Sequence, residues 1–235
     1  MEVHHHAHTP RKKWTHYVWE FIMLFLAVFC GFLAENQREH YVEHQREKQF
    51  IRSLTQDLKS DIIQSGETLN KLEKSKLGTD SIVMLLRTPG TANNSNQLYR
   101  LWSHYIGFAD FFSNDRTLQQ LKSSGSLRLI RKKVVSDSIM QYDRVLKDYY
   151  GQDDLMSRVL GNQSIYYRLF DFIRLDNDST DPVPLTVQGA GILNEAYSER
   201  KLWSFALSAL IKRLRIVNET AVRTLGLIQH EYHLD

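Results

Sequence analysis

Residues 14–34 read WTHYVWEFIMLFLAVFCGFLA, and this stretch decides the architecture of the chain. From Phe21 to Ala34 it has no charged residue, and the preceding Trp14, Tyr17 and Trp19 suit the headgroup level of a bilayer. As a helix, the 21 residues extend roughly 31 Å at about 1.5 Å per residue, enough to cross a hydrocarbon core. We therefore predict a transmembrane anchor helix over residues 14–34.

Two other interpretations of this apolar run are weaker. A core helix of a soluble domain would not need the aromatic flank or the RKK run at residues 11–13. A cleavable signal peptide needs small residues before the cleavage point, but cleavage after Ala34 would place Phe32 there. A lipoprotein site at Cys30 would have the bulky Phe29 in front of it. We predict that the anchor is retained.

Positive residues flank the span on both sides, so a simple count does not decide its orientation. Residues 11–13 precede the span, and it is followed by Arg38, Arg46, Lys48 and Arg52. The dense run at the very edge favours a cytoplasmic N-terminus. We expect residues 1–13 to form a short cytoplasmic tail rich in His, Lys and Arg. The main domain is then periplasmic, on the outer side of a bacterial inner membrane.

One face of the predicted span carries Glu20, Ala27, Gly31 and Ala34, which are separated by seven, four and three residues. Small residues four apart let two helices approach closely. A carboxyl group at membrane depth usually faces protein or water and not lipid. One interpretation is an oligomeric contact organised around Glu20. The other is that Glu20 lies near the headgroups and that the small residues are incidental, and the sequence favours neither.

Beyond the span the chain predicts helices only. Residues 35–50 mix Glu with Arg and Lys, as in a solvated helical stalk. Residues 51–235 carry apolar stripes of helical period, separated by polar loops. The clearest stripe alternates three and four apart and comprises Trp203, Leu207, Leu210, Leu214, Val217, Ala221, Thr224 and Ile228. We predict an all-α protein in which the transmembrane helix continues into an antiparallel helical bundle.

Glycine, proline and capping residues divide the bundle domain. Pro89-Gly90 and the polar residues after them predict a loop. Asn114 is a candidate N-cap for a helix that ends at Gly125. We expect the next helix to begin near Lys132 and to continue, with or without a break at Gly151, to about Phe172.

Two blocks resemble a known family. WEFIMLFLAVFCGFLAEN at 19–36, followed by a charged helix, resembles the N-terminal anchor of a family of uncharacterised single-pass membrane proteins of Bacteroidota. TLQQLKSSGSLRLIRKKVVSDSIMQYD at 117–143 resembles the internal signature of that family, a helix that ends in a Leu-Ser-Gly turn before a second helix. The family is known as a domain of unknown function. The resemblance therefore implies a topology and a lineage, and it implies no activity.

Two histidine patterns point to metal chemistry, and we expect neither to form a site. Residues 40–44, HYVEH, match the H-x-x-E-H motif of inverted zinc peptidases, but they lie in the charged stalk, with no pocket predicted around them. The N-terminal tail carries His4, His5, His6 and His8. Such a cluster binds zinc, copper or nickel only weakly on a tail with no second shell of ligands. We expect no metal, no cofactor and no enzyme activity.

Charge and cysteine content exclude further classes. The 30 Lys and Arg residues nearly balance the 27 Asp and Glu residues, and no basic stripe with interleaved aromatics predicts nucleic-acid binding. A local basic patch at residues 128–133 is better explained by a solvated helix start than by anionic lipid. Cys30 is the one cysteine and lies in the span, so an intramolecular disulfide is excluded.

Two functional classes remain. The favoured one is a membrane-anchored helical interaction or scaffold protein of the bacterial cell envelope. Its partners would be the lipid bilayer and either a second copy of the chain or another envelope protein. The alternative is an extracytoplasmic sensory or small-ligand-binding module. Because residues 1–13 contain no output domain, such a module would have to act through a partner.

Overall fold

The computed structural model describes residues 14–88, 94–160, 164–177, 183, 185–186 and 189–234. These residues are mainly helical and form no β-strand, although an isolated antiparallel bridge joins Phe170 and Leu185. The all-α prediction is confirmed. The loop predicted at Pro89-Gly90 and the histidines of the N-terminal tail lie outside the described residues.

In the described ranges the helices are α1 (Trp14–Arg87), α2 (Ser95–His104), α3 (Arg116–Ser123), α4 (Lys133–Leu160), α5 (Ser164–Leu169), α6 (Phe172–Asn177) and α7 (Gly189–Tyr232). A 3-10 turn, Ser126–Leu129, lies between α3 and α4. The chain divides into two compact units, Met1–Gln49 and Phe50–Asp235.

The first unit holds the apolar start of α1. Its most apolar window of 18 residues has a mean hydropathy of 2.1, and none of that window is buried. A core helix of a soluble protein would be mostly buried, whereas every residue from 14 to 41 is exposed. By length and composition this helix can cross a membrane, as the sequence predicts.

In the second unit, α7 runs antiparallel to both α1 and α4. Along α1 and α7 the paired residues are Ser65 with Asn218, Glu73 with Arg215, and Asp80 with Ser204. Residue numbers rise on one helix as they fall on the other. The α4 pairs show the same order, Lys132 with Glu231 and Ser138 with Thr224.

The segment from α2 to the 3-10 turn runs back along α1 and α4 as a broken fourth element. Its contacts with α1 are Tyr105 with Gly78, Asn114 with Asp61, and Thr117 with Asp57. The unit is therefore a four-segment bundle in which neighbouring segments alternate in direction. The predicted antiparallel bundle is confirmed, with one segment divided into α2, an irregular stretch and α3.

The main core is built by the three long helices. The predicted stripe of α7 is buried along its whole length, and all eight of its residues are at most 2 % exposed. It packs with Ile51, Leu54, Leu58 and Leu72 of α1 and with Val135, Ile139, Leu146 and Tyr149 of α4. Each large apolar side chain buried here stabilises the fold by about 1.5–3 kcal/mol.

A second core lies between the end of α1, α2, α5 and the start of α7. Ile82, Leu98, Leu169 and Ile192 surround a group of aromatic rings. Those rings meet mostly edge to face, and the contacts include Tyr99 with Phe170 at 5.3 Å and Tyr166 with Phe170 at 5.5 Å between centroids. This geometry is the favoured one for aromatic pairs.

Two predicted helix boundaries are wrong. The N-cap of α3 is Asp115 and not Asn114, whose backbone N–H and Nδ2 are bonded to Asp61 on α1. The helix that begins near Lys132 does not continue to about Phe172, since α4 ends at Leu160 and the separate helices α5 and α6 follow it. Of the two alternatives at Gly151, the structure shows the unbroken one, so the packing of the buried side of α4 outweighs the helix penalty of one glycine. Gly125 does follow the end of α3 with φ of 65°, the left-handed conformation expected of a glycine after a helix.

Candidate functional site

The residues predicted to form the packing face of the span all lie on the exposed, apolar part of α1. Helical spacing places Glu20, Ala27, Gly31 and Ala34 on one face. Nε2 of His16, one turn earlier, lies 3.0 Å from the carboxylate of Glu20. Gly31 has no side chain, so the helix surface is at its narrowest there.

The H-x-x-E-H residues lie on the solvated stalk. Nδ1 of His40 is 4.0 Å from Glu43, while His44 points to Glu47 at 3.2 Å. The two histidines therefore have different carboxylate partners. No group of three or more His, Cys, Asp or Glu residues that could hold a metal ion occurs in the described part of the chain.

A buried polar centre, absent from the sequence predictions, joins α1, α3 and α4. Asp61 is 1 % exposed, and its Oδ1 accepts hydrogen bonds from the backbone N–H of Asn114 at 2.7 Å and from its Nδ2 at 3.1 Å. Oδ2 accepts the hydroxyl of Tyr142 at 2.6 Å. One carboxylate therefore organises three segments that are far apart in sequence.

Asp57, one turn before Asp61, extends this polar centre to the start of α3. Its Oδ2 accepts the backbone N–H of Thr117 at 3.3 Å. The first N–H groups of a helix have no partner within the helix and need a capping acceptor. Here the acceptors come from another helix, and α3 shows no side-chain cap from its own N-cap residue.

The protonation of Asp61 follows from its surroundings. Burial raises the pKa of the Asp61 carboxyl, and the hydrogen bonds from Tyr142 and Asn114 oppose that change. Burial and the adjacent carboxylate also raise the pKa of Tyr142, which stays a hydrogen-bond donor. The arrangement is a structural tie, since neither group is exposed enough to meet a substrate.

A second buried carboxylate ties α3 to α4. Asp143 accepts Nζ of Lys122 at 2.8 Å and Nζ of Lys147 at 2.7 Å, and its side chain is 6 % exposed. Burial would raise the pKa of Asp143, but the two lysines outweigh it and hold the pKa below its usual value. Two members of this ion triad, Lys122 and Asp143, lie within the second resembling block, 117–143, and Lys147 lies one turn beyond it.

Arg200 lies between the two cores. It is fully buried, and its guanidinium stacks on Trp102 of α2 and on Trp203 of α7. Nη2 also meets Glu199 at 2.9 Å. Burial lowers the pKa of Arg200 and Glu199 opposes that effect, but a guanidinium stays protonated at any ordinary pH. The sequence gives one signal for this site, a cation in the apolar row that runs from Ala196 to Leu207.

Two surface grooves flank α7. The groove against α4 has a volume of about 600 Å³ and includes Lys147, Lys212 and Arg213. The groove against α1 has a volume of about 470 Å³, and Met84 and Phe205 lie in it. Both are open channels between helices and not enclosed pockets.

Comparison of the chain with models of protein families, with curated proteins and with solved structures finds no match. The described residues define an all-α architecture with one exposed apolar helix segment and a packed bundle. The resemblance to a Bacteroidota family stays a prediction from the two sequence blocks.

Proposed function

We propose that this protein is a membrane-anchored helical interaction or scaffold protein of the bacterial cell envelope. The observation that carries the proposal is the apolar start of α1, none of which is buried within the chain. Exposed apolar surface of this extent is unfavourable in water, and lipid is the medium that removes that penalty.

The features of the second unit support interaction in preference to catalysis. Two of its buried carboxylates, Asp61 and Asp143, are engaged in ties between segments, and its buried Arg200 is engaged in ring stacking. The grooves around α7 are long and open. Such surfaces suit a partner helix better than a small molecule, which usually needs a concave and enclosed site.

We further propose that the span self-associates through Glu20, Ala27, Gly31 and Ala34. In lipid, helix association depends on close van der Waals contact and on polar pairing. The small residues Ala27, Gly31 and Ala34 support close contact, and the Glu20 carboxylate with its His16 neighbour supports polar pairing. The proposed setting is a bacterial inner membrane with residues 1–13 in the cytoplasm and the bundle in the periplasm, and the proposed lineage is Bacteroidota.

Fusion reporters and membrane extraction test the anchor and its orientation. A reporter that is active only in the periplasm, fused after Asp235, should be active. The full-length protein should stay in the membrane pellet after carbonate extraction. Activity of a cytoplasm-only reporter at the same position would show the opposite orientation. Release of the protein by carbonate would show that residues 14–34 are not a membrane anchor.

A further inference from the structure

We propose that the groove between α1 and α7 binds an acidic amphipathic helix of another protein, about three turns long. The inference rests on the proposed interaction function and names the chemistry of one partner. The groove is lined from Lys76 to Arg87 on α1 and from Tyr197 to Ser208 on α7. Each wall is roughly 16 Å long at about 1.5 Å per residue, the length of about three helical turns.

The floor and rim of this groove offer apolar anchor points. Met84 is 72 % exposed and Phe205 is 71 % exposed, one on each wall. Val83 and Tyr197 lie beside them and are half-buried. A helix that lays its apolar face into such a channel places residues three and four apart against these side chains.

The charges along the groove select an acidic partner. Lys76 is paired with Asp80 at 2.6 Å, and the other oxygen of Asp80 accepts the hydroxyl of Ser204. Arg87 and Lys201 are exposed and have no carboxylate within ion-pair distance among the described residues, although the Lys201 charge is near enough to Asp80 to help lower the pKa of that carboxyl. The groove therefore has a positive excess that its one carboxylate does not offset, and a basic helix would be repelled.

The groove between α4 and α7 shows why the apolar anchors are needed. Lys147, Lys212, Arg213 and Asp148 line it, which is the same charge balance as in the groove between α1 and α7. Its apolar residues are less exposed, with Ile216 at 40 % and Leu155 at 53 %. That groove lacks the pair of protruding anchors and serves as an internal control.

The test uses the full-length protein in nanodiscs and a defined probe. The probe is a labelled peptide of about 14 residues with Leu three and four apart and with Glu and Gln elsewhere. A second peptide keeps the Leu positions and replaces Glu with Lys. By fluorescence anisotropy, we expect the acidic peptide to bind at least about tenfold more tightly than the basic one.

Charge reversal locates the site. The double variant Arg87→Glu with Lys201→Glu should weaken the acidic peptide at least about tenfold. The matched control, Lys212→Glu with Arg213→Glu, makes the same charge change in the other groove and should alter binding less than about twofold. Phe205→Ala should also weaken binding, whereas Leu202→Ala, an exposed neighbour outside the groove, should not.

Four results would overturn the inference. The first is equal affinity for the acidic and the basic peptide, and the second is an equal loss of peptide affinity in both double variants. The third is binding of phosphatidylglycerol vesicles that depends on Arg87 and Lys201 in the same way. The fourth is loss of self-association in Phe205→Ala while peptide binding stays intact. The third result would assign the groove to lipid and the fourth to a second copy of the chain. Peptide binding does not depend on the anchor, so failure of the membrane proposal is a separate outcome.

Discussion

The guanidinium carbon of Arg200 lies 4.8 Å from the centre of the Trp102 ring, inside the protein. Its other neighbour, Trp203, is 5.2 Å away and belongs to the main core, while Trp102 belongs to the second core. The indole N–H groups of both rings are buried without a hydrogen-bond partner among the described residues. The faces of the two indole rings therefore make the contact with the guanidinium, and the Arg200 side chain couples the two cores.

Arg200→Lys should lower the free energy of unfolding by about 1–3 kcal/mol, because an ammonium cannot stack flat on two rings and is harder to desolvate. Urea unfolding of the full-length protein in micelles, followed by circular dichroism and tryptophan fluorescence, measures the change. Arg215→Lys is the control, since Arg215 forms an exposed ion pair with Glu73 and should change stability by less than about 0.5 kcal/mol. Equal effects of the two substitutions would contradict the coupling role.

Asp61 predicts a dependence of stability on pH. Its folded-state pKa is raised above the unfolded value of about 3.9, so the folded state binds its proton more tightly. This contribution is fully present below the unfolded pKa and is lost as the pH rises through the folded pKa. Asp61→Asn keeps an acceptor for Asn114 and offers a donor to the Tyr142 oxygen. The variant should therefore not lose stability at this position as the pH rises.

Unfolding free energies at several pH values between 4 and 8, for wild type and for Asp61→Asn, measure the effect. The variant should gain stability relative to wild type as the pH rises. Asp61→Ala should instead destabilise by about 3 kcal/mol at pH 4, because the donors of Asn114 and Tyr142 lose their buried acceptor, and this difference should narrow as the pH rises, since the variant has no carboxyl at this position to titrate. A constant difference between wild type and Asp61→Asn would show that the carboxyl does not titrate in this range.

Position 78 needs a glycine because the side chain of Tyr105 packs against the α1 backbone there. A Cβ at this position would overlap the Tyr105 ring. Gly78→Ala should therefore destabilise by about 1–3 kcal/mol, the range seen for overpacked cores. Gly66→Ala on the same helix meets nothing within 4 Å and should stabilise by about 0.5–1 kcal/mol through helix propensity alone. Thermal unfolding compares the two, and a shift of the same sign in both would refute the contact.

Gly31→Ile should abolish self-association of the span, because a branched side chain holds the two helix backbones apart. Leu24→Ile changes shape without adding bulk and is the control. Glu20→Ala should weaken association by roughly 1 kcal/mol if the carboxyl pairs with protein. A two-hybrid or FRET assay of the isolated span measures all three variants. Association of Gly31→Ile at the wild-type level would mean that this interface does not exist.

Helical periodicity made much of the fold predictable. The α7 stripe from Trp203 to Ile228 is buried residue by residue as predicted, because an amphipathic helix has one stable way to bury its apolar side. The end of the fourth helix at about Phe172 and the cap at Asn114 were the wrong predictions. Both boundaries depend on contacts with other helices, which local propensity does not contain.

The sequence by itself determined the helix class, the exposed apolar segment at 14–34 and the stripes that build the core, since each follows from the local order of apolar and polar residues. Only the tertiary structure decided which polar residues meet. Asp61 reaches Tyr142 across 81 positions of the chain, and Lys76 and Lys201 come to line one groove from opposite ends of the bundle domain. The sequence position of a carboxylate or an ammonium does not indicate which distant residue it will pair with. The pairing arises only when antiparallel packing sets the register between helices.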